Sequence, residues 1–193
     1  MKFILGLSFF FFIFSTSKPL QAQTQTPPVS FARLAMAKHF IETHKDKITN
    51  TNVITFIDFS KHSGERRLHV YDVQTEQFES FHVSHGRGSD PEHTGIAKFF
   101  SNTPGSYMSS LGFFITGETY MSSAGYSLYI DGQEDSNSNA RAREVVMHGA
   151  TYVNESLDKM GRSLGCPALS MAVYTRVINT IKKIGPNFSG IVF

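Results

Sequence analysis

Two residues hold the chemistry that this sequence offers: Cys166, the chain's single cysteine, and His148 upstream of it in the run VVMHGATYVNESLDKMGRSLGCPALS. A thiol attacks carbonyls as the thiolate, so a nucleophilic cysteine needs an imidazole, a helix N-terminus or both beside it. Pro167 favours the first helical position and pushes the residue before it into extended geometry. That predicts Cys166 as the N-cap of a final helix, facing the positive end of its dipole. Gly165 has no Cβ and lets a substrate carbonyl approach the backbone, so the N–H groups of Gly165 and Cys166 are the expected oxyanion donors; Pro167 cannot donate. Ser163 is expected to brace this loop or donate a hydrogen bond, and Arg162 to meet a substrate carboxylate. His148, followed by Gly149, reads as a base exposed at a strand end; a catalytic His and Cys need only be neighbours in space. The inert alternative is a lone buried Cys acting as a small apolar side chain. A Gly-Cys-Pro elbow together with a strand-end His decides for the nucleophile.

These positions imply a strand over 144–147 ending at His148 and a helix over 170–184 stopped by Gly185-Pro186. Upstream, 29–45 reads as an amphipathic helix with Phe31, Leu34, Ala35 and Ile41 as its apolar residues. NVITFIDFS, RLHVYDV and QFESFHVSHG are β-branched and aromatic runs separated by short turns, which predicts a β-meander. Between Gly86 and Tyr129, strand pieces (IAKFF, LGFFIT, YSLYID) alternate with Gly, Ser, Thr and Pro. Residues 190–193 suggest a last strand. The expected fold class is mainly β, a β-sandwich or barrel-like sheet pair with peripheral helices.

Lys2 followed by the apolar run FILGLSFFFFIF reads as a secretory signal over 1–22, cleaved after Ala22, with a linker over 23–28 and one domain over 29–193. The run is too short to span a bilayer comfortably, although an uncleaved N-terminal anchor is the alternative. Membrane contact is expected through this segment alone. The domain is then exported, and a single cysteine in an exported chain cannot form an internal disulfide. Net charge is +2, from 18 basic and 16 acidic residues spread along the chain, which argues against nucleic acid as a partner. A zinc peptidase is disfavoured. His82 and His85 in a strand face opposite sides, and no HExxH spacing exists, so neither metal nor cofactor is expected.

His148-Gly149 followed by Ser163-Leu164-Gly165-Cys166 resembles the His-Gly … Ser-x-Gly-Cys signature of the L,D-transpeptidase catalytic domain, the YkuD family. The branch called murein L,D-transpeptidase is the more similar, through Gly165-Cys166-Pro167-Ala168, SNTPGS (101–106), GETY (117–120) and NARAR (139–143). The likeness covers about Asn52 to Leu169. Where the wider family has a polar residue two positions after the Cys, this chain has Ala168, so that contact is not carried over; Arg141 or Arg143 is expected to replace it. The resemblance implies acyl transfer on peptidoglycan stem tetrapeptides through a Cys166 thioester, with Cys166, His148, Gly165 and Ser163 catalytic. Gly149, Arg162, His85, Ser106 and Arg141 are the expected substrate-side residues. It implies a monomer in the periplasm or envelope of a bacterium, making 3→3 cross-links or exchanging D-amino acids. Hydrolysis of the same acyl-enzyme (an L,D-carboxypeptidase) and a non-catalytic wall-binding module are the alternatives. The group that orients His148 is left open between a backbone carbonyl and a polar side chain.

Overall fold

In the computed structural model of the chain, the three alternating runs form β1 (Val53–Ile57), β2 (Leu68–Asp72) and β3 (Gln77–Phe81), paired antiparallel in sequence order. The structure describes residues 27–182 and the strand residues 191–192, so the expected signal segment and the Gly185-Pro186 stop lie outside the described residues. A second set follows: β4 (Phe114–Ser122), β5 (Gly125–Gly132), β6 (Val146–Ala150) and the short β7 (Ala168–Ser170). The last strand, β8 (Ile191–Val192), pairs parallel with β1 and antiparallel with β4, joining both sets into one eight-stranded sheet of order β3-β2-β1-β8-β4-β5-β6-β7. Among the described residues the structure is mainly β, with two α-helices, α1 (Phe31–Thr43) and α2 (Tyr174–Ile181).

Side-chain alternation explains how one sheet makes two cores. Val53 and Ile57 of β1 and Leu68 and Val70 of β2 share one buried cluster with Leu128 and Ile130 of β5, Met147 of β6, and Val177, Ile178 and Ile181 of α2. Both wings of the sheet therefore close over α2, and each fully buried aliphatic side chain contributes roughly 1.5–3 kcal/mol relative to exposure. Ile54 and Phe56 point the other way, into a second cluster with Tyr71, Ile115 and Ala37, Phe40 and Ile41 of α1. Burial on both faces is why every residue of β1 is buried. Helix α1 starts where Ser30 accepts the Arg33 N–H, as an N-cap should. Its buried stripe is Ala37, Phe40 and Ile41, and Phe31, expected on the apolar face, is 80% exposed.

Three expectations change. Residues 96–100 are not a strand, because the Lys98 and Phe99 N–H groups both donate to the Ser89 carbonyl and leave no ladder. His148 is the third residue of β6 rather than its end. The final helix begins at Tyr174, and the segment after Cys166 is β7, which pairs parallel with β6.

Candidate active site

The β6–β7 pairing sets the distance between the two chemical residues. In its register His148 faces Ala168, with Gly149 opposite Leu169. Leu169 and Met147 point into the main core, so His148 and Ala168 lie on the opposite face of their strands. Cys166 enters two residues before Ala168, and its Sγ settles 3.5 Å from both the Val146 N–H nitrogen and the Glu144 carbonyl oxygen at the start of β6. Cys166 and His148 line one cleft of about 510 Å³.

Cys166 is therefore not a helix N-cap, since α2 starts at Tyr174 and is preceded by Val173 at its cap. The helix dipole expected to stabilise a thiolate is missing from the elbow. Burial pushes the Cys166 thiol up, opposed by the Val146 N–H and the Arg143 guanidinium. The resting sulfur is a thiol, and a base has to take its proton.

His148 lines the same cleft, and the neighbouring main chain orients its ring. Its Nδ1 lies 2.9 Å from the Gly149 carbonyl oxygen, which can only accept, so Nδ1 carries a proton and the lone pair of the neutral tautomer falls on Nε2. The orienting group left open by the sequence is this backbone carbonyl. Gly149 has a packing role as well: a Cβ there would sit 2.6 Å from the Tyr174 ring of α2. It is buried in β6 and acts on His148 rather than on the substrate side.

The elbow is locked from behind. Ser163 Oγ donates to the Cys166 carbonyl at 2.6 Å and accepts the Gly165 N–H at 3.1 Å. Its own backbone bonds with the segment at 85–87, N–H to the His85 carbonyl and carbonyl to the Arg87 N–H. Gly165 holds φ +128, which only glycine adopts without strain, and its carbonyl accepts from Ser109 Oγ. Ser163 is thus a brace, one of the two roles expected of it. The Gly165 N–H is already engaged and cannot serve an oxyanion. Among the described residues the Cys166 N–H leans only on its own sulfur, and the exposed Leu164 N–H has no acceptor.

The expected substrate-side residues divide. Arg162 lines the cleft, with Nη1 donating to the Asp90 and Pro91 carbonyls. His85 does not reach it. Fully buried, it accepts from Arg67 Nη2 on Nδ1 at 2.7 Å and donates from Nε2 to Asp90 at 3.3 Å. Burial and the Arg67 charge push His85 down to about 4, so it is neutral. Asp90 is held down at about 2, where backbone N–H bonds from Thr94 and Gly95 outweigh its burial. Arg141 is likewise occupied, clamped between Asp131 and a bidentate Glu118 and stacked 4.3 Å over the Tyr129 ring. Arg143, rather than Arg141, lines the cleft beside Arg162. It donates to the Ser101 and Met108 carbonyls and to Ser106 and Ser110 Oγ, so Ser106 acts by holding Arg143.

Tyr120, Tyr129, Glu144 and Tyr152 also line the cleft, and none of them stands out as a site residue in the sequence. Tyr120 and Tyr129 stack at 4.3 Å between centroids, and burial pushes the Tyr120 and Tyr152 hydroxyls up to about 12. Both stay protonated and can donate. Tyr120 of β4 lies opposite Ser127 of β5, so alternation puts Tyr129 on the same face as Tyr120; Tyr152 and Glu144 lie in turns and leave no periodic signal.

Residues 25–188 match the family described as L,D-transpeptidase catalytic domain. No curated protein matches the chain. Among solved structures, LD transpeptidase LdtMt1 in complex with imipenem is similar, at 14% identity and a TM-score of 0.42 over 74% of this chain. The matched part spans 59% of that protein's chain.

Proposed function

The chain belongs to the L,D-transpeptidase catalytic domain family, and on that premise we propose that it transfers acyl groups of peptidoglycan stem tetrapeptides through a Cys166 thioester. His148 Nε2 takes the thiol proton as Sγ attacks the carbonyl of the stem's third residue. The oxyanion is received by the Cys166 and Leu164 N–H groups, and the Arg143 charge favours the thiolate. His148 returns the proton to the leaving D-amino acid. The observation that carries this reading is the His148 tautomer, whose Nδ1–H is tied to the Gly149 carbonyl so that Nε2 is a ready acceptor in the cleft that holds Cys166. The apolar N-terminal run supports a site of action in the periplasm or envelope, where such stems are found.

The test is muropeptide mass spectrometry after incubating the domain with tetrapeptide-rich sacculi. Dimers with 3→3 links, exchanged termini or tripeptides are the expected products, with a covalent adduct on Cys166 trapped by a carbapenem. Full turnover by Cys166→Ala would remove the nucleophile from this scheme. No turnover and no adduct with the unaltered protein would favour a wall-binding module.

A further inference from the structure

Glu144 is built into the cleft against two local preferences. Its backbone is left-handed, with φ +55, in a residue that is not glycine. It lines the cleft together with Cys166, and its charge opposes thiolate formation there. Strained, electrostatically unfavourable positions of this kind concentrate where a ligand supplies the compensation. The other charged side chains lining the cleft are engaged, Arg143 by four acceptors and Arg162 by two carbonyls. Glu144 is exposed, and its carboxylate has neither ion-pair nor hydrogen-bond partner among the described residues. Its main chain is fixed instead, the N–H on the Arg141 carbonyl and the carbonyl beside Cys166 Sγ. A carboxylate with no partner among the described residues therefore lines the same cleft as Cys166, on a main chain fixed beside the sulfur.

From this placement we infer that Glu144 binds the ammonium group of the acceptor and biases the acyl-enzyme toward a primary amine over water. The inference rests on the acyl-transfer reading and names the acceptor that reading leaves open. The carboxylate hinders only the free enzyme. Once the thioester forms, the sulfur carries no charge and the repulsion ends, while an incoming cation is still attracted. The amine nitrogen then attacks the thioester carbonyl, a C–N bond forms and the C–S bond breaks. Of the two protons the ammonium loses, one passes through His148 Nε2 to the departing sulfur and one goes to solvent.

The experiment compares Glu144→Gln with the unaltered domain, using a synthetic stem tetrapeptide as donor and two competing nucleophiles. Nα-acetyl-lysine amide is cationic, and hydroxylamine is neutral. The ratio of lysine-amide product to hydroxamate is expected to fall about fivefold in the variant, and alkylation of Cys166 by iodoacetamide to quicken roughly two- to fivefold. Opposite movements of these two readouts cannot come from simple damage to the site. An unchanged ratio, or equal losses with both nucleophiles, would overturn the assignment while leaving the acyl-enzyme standing. If the unaltered domain forms no acyl-enzyme from the donor, the acyl-transfer reading fails and this assignment with it.

Discussion

Replacing Gly165 by alanine tests whether the elbow is held by its backbone. An alanine Cβ there would lie 2.9 Å from the Met108 carbonyl oxygen and 3.5 Å from Arg143 Nη2, at φ +128. The dihedral alone costs about 1–3 kcal/mol for a residue with a side chain. The contact adds about 1–3 kcal/mol, because the Met108 carbonyl cannot retreat without losing the Arg143 hydrogen bond at 2.6 Å. Taking the middle of these ranges, the melting temperature should drop by roughly 8–16 °C for a domain of this size. Relief by moving the elbow would shift Sγ from its place beside Val146, and misplacement by about 1 Å lowers kcat/KM about a hundredfold. Gly105→Ala is the control. Gly105 also has positive φ, +75, but nothing lies within 4 Å of its would-be Cβ, so it should cost only about 1 kcal/mol and leave turnover alone. The assay is differential scanning calorimetry of both variants beside tetrapeptide turnover. A Gly165→Ala protein that melts and turns over like Gly105→Ala would refute the claim that the elbow's close approach to Met108 matters.

Two further outcomes concern a charge in the cleft and a pair of buried histidines outside it. Arg143→Met removes the cation that favours the Cys166 thiolate, so the pH midpoint of Cys166 alkylation should rise and kcat/KM fall about 10- to 100-fold; an unmoved alkylation profile would exclude Arg143 from thiol activation. Burial pushes both His69 and His85 down from 6.5 to about 4, so below pH 6.5 the unfolded chain takes up protons that the folded chain refuses. Their contribution is intact above pH 6.5 and is lost as pH falls toward 4, and the urea midpoint should decline through that window; a flat midpoint would contradict it.

The β1–β3 meander was legible because its alternation extends over whole strands and its turns are short. The proposed nucleophile and base stood out as residue types, but their supports did not. Gly165-Cys166-Pro167 has the local signature of a helix start, yet pairing with β6 draws Ala168–Ser170 into a strand too short to show a period. His85 sits among glycines as a functional loop residue would. What buries it is Arg67, eighteen positions away, whose guanidinium also holds the Val83 and Lys61 carbonyls. Arg141 and Arg143 share one short motif, and nothing in the sequence separates them. Glu118 and Asp131 capture the first, and four acceptors between Ser101 and Ser110 turn the second toward Cys166.

The parallel ladder of β6 and β7 sets the separation of His148 and Cys166 by main-chain hydrogen bonds rather than by the connection between them. That connection passes through residues 154–158, all exposed. It is closed off from the site by the Gly161 N–H bond to the Tyr152 carbonyl. Residues 154–158 do not line the cleft, so a segment inserted there would leave His148 and Cys166 in register. The length of the connection is therefore separable from the pairing of the two side chains, and the tip of that loop is where a protein engineer would graft a new element.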